Sequence, residues 1–106
     1  MKSIKPYQFS QDIHGVRVKP LAENGKDVRV RYEGLLSSSG AANVTLHYGF
    51  GEADDWKDTG NIEMEKMMDG WESSVSMRDS QLNFCFRDTI YNWDNNNGLN
   101  WTYRLS

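Results

Sequence analysis

The stretch Val44-Thr45-Leu46-His47-Tyr48-Gly49-Phe50 (VTLHYGF) decides the fold class. Val44, Leu46, Tyr48 and Phe50 share one phase, with Thr45, His47 and Gly49 opposite them. Side chains of a β-strand alternate between faces, so this spacing predicts a strand with one face in a core and His47 on the other. The same alternation recurs along the chain. It places Val28, Val30 and Tyr32 against Arg29, Arg31 and Glu33, and Ile62 and Met64 against Glu63 and Glu65. Trp71, Val75 and Met77 alternate with Glu72, Ser74, Ser76 and Arg78, and Leu82, Phe84 and Phe86 with Asn83, Cys85 and Arg87. Trp101, Tyr103 and Leu105 alternate with Thr102 and Arg104, and a shorter strand is expected around Val16–Lys19.

Turn-rich segments separate these runs: AENGKD, SSSGAAN, GEADDWKDTGN, MMDG, RDS and DNNNG. About seven to eight short strands with no helix-period stretch predict an all-β, antiparallel two-sheet sandwich, with a small closed barrel as the competing architecture. Residues 1–12 show no alternation and read as an N-terminal arm, leaving 13–106 as the domain. At 106 residues the chain is long enough for one modest core.

Composition narrows the function. Apolar residues are 38% and charged residues 25%, the balance of a folded globular domain, and no apolar run approaches a membrane span. The N-terminus has no h-region and so no visible signal peptide, as would also hold for a domain cut from a secreted enzyme; the expectation is cytoplasmic if Met1 is the native start and extracellular if excised. Net charge is −3, with seven Lys/Arg against three Asp/Glu in residues 1–31 and five against twelve thereafter. That is no basic stripe for nucleic acid. The single cysteine, Cys85, excludes an internal disulfide and argues against a cysteine zinc site.

The four tryptophans sort by phase. Trp71 and Trp101 fall on core faces. Trp56, in GEADDWKDTG, and Trp93, in YNWDNNNG, lie among acids, asparagine and glycine, which predicts surface loops. The plain alternative is that each indole folds back as a plug over the end of the sandwich. A large exposed aromatic costs solubility unless a ligand covers it. His47, projecting from the polar face a few residues before Trp56, adds a hydrogen-bonding group. Two flat apolar platforms with a polar group between them suit a sugar, whose C–H face lies on an indole while its hydroxyls seek donors and acceptors.

Catalysis finds little support. Adjacent Asp54 and Asp55 in a hydrophilic loop are not the separated, partly buried acid pair of a glycoside hydrolase. Cys85, flanked by Phe84 and Phe86, has no partnering histidine in the sequence pattern. DNNNG and EADD lack the ordered spacing of a calcium loop, so no cofactor or metal is expected. Asn97-Gly98 can close a hairpin, which would hold Trp93 in place. The rival function is a protein-interaction module that uses the same exposed aromatics as anchors.

VRVRYEGLLSSSGAANVTLHYGFG (28–51), the following Trp56, the Ile62-x-Met64 strand, Trp71, LNFCFRD (82–88) and WDNNNGLNW (93–101) together resemble carbohydrate-binding module family 25, starch-binding modules appended to bacterial amylases. The family 53 modules of plant starch synthases are similar. The resemblance covers roughly residues 15–105. It implies an immunoglobulin-like sandwich that binds α-1,4-glucans (starch, glycogen, maltooligosaccharides) without catalysis or cofactor, often beside a glycoside hydrolase or other glucan-active domain. By motif it implies a site of His47, Trp56 and Trp93, with Asp94, Asn95 and Asn96 as candidates for hydroxyl contacts.

Overall fold

The predicted strand around His47 is central. In the computed structural model, which describes residues 7–105, it is the third of nine strands: β1 (Val16–Pro20), β2 (Asp27–Tyr32), β3 (Val44–Glu52), β4 (Asp55–Glu63), β5 (Glu65–Lys66), β6 (Trp71–Ser76), β7 (Gln81–Asp88), β8 (Trp93–Asp94) and β9 (Trp101–Arg104). One antiparallel sheet has the order β1-β2-β6-β5. The other has the order β4-β3-β7-β8, with β9 also paired to β7. These are two open sheets, not a closed barrel. A four-residue helix, α1 (Leu35–Ser38), which has no helical period to announce it, follows β2.

The sheets face one another over a single core. Val28, Val30, Tyr32, Trp71 and Val75 from the first sheet meet Leu46, Phe50, Leu82, Phe84, Phe86, Trp101 and Tyr103 from the second. The Tyr32 and Phe86 rings stack across the gap with centroids 4.1 Å apart. Trp71 is 2% exposed, and Trp101 is buried against Phe86 with its Nε1 donating to the Ile13 carbonyl at 2.8 Å. Both occupy the core faces that alternation assigns them.

On the outer face of the first sheet, Glu72 accepts from Arg29 at 3.0 Å and Arg31 at 2.7 Å, so the arginines of the basic N-terminal third are paired with carboxylates. Of the expected arm, residues 1–6 lie outside the described residues. Residues 7–10 run back along the free edge of β1, with Tyr7 N–H on the Pro20 carbonyl and Ser10 N–H on that of Val18. This contact covers an edge that would otherwise be open to pairing with another chain.

Two features of the second sheet depart from simple alternation. Tyr48 sits opposite Gly60 but Phe50 opposite Lys57, so β4 carries a bulge with one extra residue, next to Asp58 at φ +49°. Also, Phe86 pairs with Asp94 while Phe84 pairs with Trp101. β8 and β9 are therefore two pieces of one edge strand, interrupted by an excursion over residues 95–100. This corrects the reading of Asn97-Gly98 as a hairpin turn: the left-handed Asn96, Asn97 and Gly98 turn the chain back to the edge it left, not onto a partner of its own.

Candidate functional site

The outer face of the second sheet gathers the aromatic residues. His47, on β3, pairs with Asn61 of β4 on one side and Cys85 of β7 on the other. Its Nδ1 lies 2.9 Å from the Asn61 side-chain oxygen; in the tautomer with the proton on Nδ1, that nitrogen donates to Asn61 and Nε2 is an acceptor. The Trp56 ring lies nearly parallel to the imidazole, with centroids 5.6 Å apart and planes at 26°. Trp93 approaches from the opposite flank of the sheet, again at 5.6 Å but at 83°. One indole is nearly parallel to His47 and the other nearly perpendicular, so the two indole planes are steeply inclined to each other.

Trp56 does not lie in a loop. Glu52 pairs with Asp55, which reduces the expected loop to the two residues Ala53 and Asp54, and Trp56 is the second residue of β4. It is half-buried; its Nε1 donates to the Ala53 carbonyl at 2.7 Å. Its seat is Gly49: a Cβ there would stand 2.6 Å from Trp56 Cβ and 3.0 Å from Cε3. The bulge brings it to this face. Counting back by twos from Ile62, which faces the core opposite Leu46, would put Trp56 in the core; the extra residue moves it beside His47.

Trp93, also in a strand, sits opposite Arg87 and is 48% exposed. Its ring reaches His47 two strands away, so it crosses β7. That accounts for Cys85, which shares this nominally polar face yet is buried; burial, with the charge of Asp94, pushes its thiol up to about 11. A buried protonated thiol is inert as a nucleophile.

Asp94 departs from its expected role. It is 5% exposed and points inward: Oδ2 accepts from the Tyr32 hydroxyl at 2.6 Å and from Leu35 N–H at 3.3 Å, and Oδ1 from Asn96 N–H at 3.3 Å. Burial first, and then this carboxylate, raise the Tyr32 hydroxyl well above its ordinary pKa. Gly34 permits the contact, since a Cβ there would meet the Tyr32 ring and stand 2.7 Å from Asp94 Oδ2. With its oxygens so engaged, Asp94 fixes β8 against the first sheet and thereby holds Trp93 facing out. Asn95 is exposed, its side-chain oxygen accepting Gly98 N–H at 3.0 Å. Asn96 is tied to His14 and to the Asn100 carbonyl.

Sequence reasoning passed over three neighbours. Asn61 fixes the His47 ring. The Arg87 guanidinium lies 4.8 Å from the Tyr91 ring and 6.0 Å from that of Trp93. Their signal was faint: Asn61 and Arg87 are in phase with outward residues of their strands, but so are many solvated side chains. Among the described residues no three His, Cys, Asp or Glu side chains converge as a metal site requires.

Comparison with known proteins identifies the family. Residues 28–84 match the starch/carbohydrate-binding module family 53. The chain is 35% identical over 91 residues to an alpha-amylase of Clostridium acetobutylicum, covering 83% of this chain and 11% of the amylase. No solved structure matches. The matched family is 53, named above as similar, where the motifs resembled family 25 first. The chain belongs to the starch/carbohydrate-binding module family 53, whose members are non-catalytic binding modules.

Proposed function

We propose that this module binds α-1,4-glucans (starch, glycogen, maltooligosaccharides) by stacking glucosyl rings on Trp56 and Trp93, with His47 between them. The observation that carries the reading is the pair of inclined indoles flanking His47, whose Nδ1 is engaged by Asn61 and whose Nε2 is left for a sugar hydroxyl. Inclined platforms follow a chain that curves from one sugar to the next, as α-1,4 linkage makes it; a flat β-1,4 chain would need them coplanar. If each platform covers roughly 60 Å² of sugar C–H surface it contributes about 1.5 kcal/mol. Two platforms and a few hydrogen bonds, less the cost of association, give roughly micromolar to millimolar affinity. Such weak binding suits a module that keeps a larger glucan-active protein on its polymer, and the alpha-amylase relative supports that setting.

We infer that the fold is an immunoglobulin-like sandwich, since the sheet orders β1-β2-β6-β5 and β4-β3-β7-β8 read as A-B-E-D against C′-C-F-G.

Affinity electrophoresis through gels holding amylopectin, glycogen or no polysaccharide tests the function. Retardation in the first two is expected, and equal mobility in all three would overturn the proposal. Tryptophan fluorescence should respond to maltoheptaose and not to cellohexaose. Trp56→Ala and Trp93→Ala should each weaken maltoheptaose binding at least about tenfold with native circular dichroism. Trp71→Ala should instead destabilise the fold by about 3–5 kcal/mol. Intact binding in both surface variants would refute the site.

A further inference from the structure

We infer that the sugar-binding face continues past Trp93 onto Arg87 and Tyr91, which form a further subsite for a glucosyl residue of a longer α-glucan chain. The inference rests on the reading of the Trp56–His47–Trp93 site as an α-glucan site. From that site the ring and cation contacts run on without a gap: Trp56 to His47 and His47 to Trp93 at 5.6 Å each, Trp93 to Arg87 at 6.0 Å, and Arg87 to Tyr91 at 4.8 Å.

Arg87 differs from the arginines of the other sheet. Arg29 and Arg31 are held by Glu72, Glu65 and Glu33. Arg87 is half-buried beside two rings, yet among the described residues it has no carboxylate within ion-pair distance and no side-chain hydrogen bond to an acceptor. The rings bind the charge but accept none of its five N–H groups in the ordinary way. A planar fork of donors beside an indole is suited to a pair of neighbouring sugar hydroxyls.

Tyr91 is held out deliberately. It is 66% exposed and at φ +61°, a conformation that is costly for a residue other than glycine or asparagine. The turn beneath it enforces that geometry. The Asp88 carboxylate accepts from Ile90 N–H at 3.0 Å, Asn92 N–H at 2.8 Å and the Asn92 amide at 2.8 Å. Asp88 N–H donates to the Asn92 carbonyl, and Tyr91 N–H to that of Asp88. A strained, stapled turn keeps an aromatic ring in solvent over a guanidinium, a ready platform for one more sugar.

Calorimetric titration of the full chain with maltotriose and maltoheptaose tests the subsite, comparing the wild type with Arg87→Met, which keeps the apolar stem, and Tyr91→Asn, which tolerates the positive φ. Each variant should raise the maltoheptaose Kd roughly five- to tenfold while changing the maltotriose Kd by less than about twofold. Equal losses for both sugars would overturn the subsite by making Arg87 a mere support for Trp93. No loss for either would overturn it outright. If the wild type bound neither sugar, the glucan reading itself would fall, an outcome distinct from a wild type that binds both while the variants do not discriminate.

Discussion

Removing the carboxylate of Asp94 separates two roles that its place in WDNNNG leaves confounded. A loop aspartate beside Trp93 reads as a sugar contact; the structure turns it inward, onto Tyr32. Asp94→Ala deletes one short charge-assisted hydrogen bond at 2.6 Å and two longer ones at 3.3 Å. A hydrogen bond to a charged group contributes about 1.5–3 kcal/mol, and the buried Tyr32 proton is then left without an acceptor. The long bonds add little. The expected loss is about 2–4 kcal/mol, a large share of a typical domain's stability, and a fall in Tm of about 10–20 °C. Thermal melts followed by circular dichroism measure it. Tyr32→Phe deletes the same bond from the other side. The double variant should then cost less than the two single losses combined, since they share one interaction. Maltoheptaose titrations at low temperature, where the variants remain folded, should show only a moderate loss through a less firmly held Trp93. An unchanged Tm with abolished sugar binding would refute the reasoning and return Asp94 to the binding surface.

Three further outcomes follow from the geometry. Gly49→Ala places a methyl group 2.6 Å from Trp56 Cβ and 3.0 Å from Thr59 Cγ2, so β4 must shift and carry the indole off His47; Tm and maltoheptaose affinity should both fall, and unchanged affinity would show that Trp56 is not seated there. Glu72 feels burial, which would raise its pKa, but hydrogen bonds and charge from Arg29 and Arg31 outweigh it and hold the carboxyl below its ordinary value. Its contribution to stability is therefore present above the unfolded-state pKa and is lost as pH falls through the lowered folded value, so Tm should drop more steeply below about pH 4.5 in the wild type than in Glu72→Gln. Cys85, with its thiol pushed up to about 11, should not react with Ellman's reagent at pH 8 until denaturant is added; prompt reaction in the native state would contradict the covering of that face.

Much of the sandwich is legible in the chain because a strand's two faces are written in adjacent residues. Val28, Val30, Tyr32, Leu46, Phe50, Leu82, Phe84 and Phe86 are buried where alternation puts them, and Trp71 and Trp101 with them. His47 could be assigned to the opposite face for the same reason. β7 marks the limit of that rule: Asn83 and Cys85 alternate with the core phenylalanines and are nonetheless buried, because neighbouring strands lend side chains that cover the outer face. Alternation reports which way a residue points, not what lies over it.

The sequence reading grouped His47 with Trp56 and Trp93, but the register that sets them around it was beyond the reach of local pattern. Trp56 stands beside it because one extra residue in β4 reverses the parity between Ile62 and Trp56. Trp93 and Trp101 point to opposite faces because the chain takes seven steps from Asp94 to Trp101 while β7 takes two from Phe86 to Phe84, an odd excess. The inward turn of Asp94 depends on Tyr32, which is 62 positions away. The sequence by itself determined the class of fold, the composition of the core and the presence of aromatic and polar residues outside it, since these follow from side-chain chemistry at a fixed period. Only the tertiary structure decided which indoles share the outer face, at what inclination, and which polar residues hold them there, because a bulge or an excursion has meaning only against the register of the strand it is paired with.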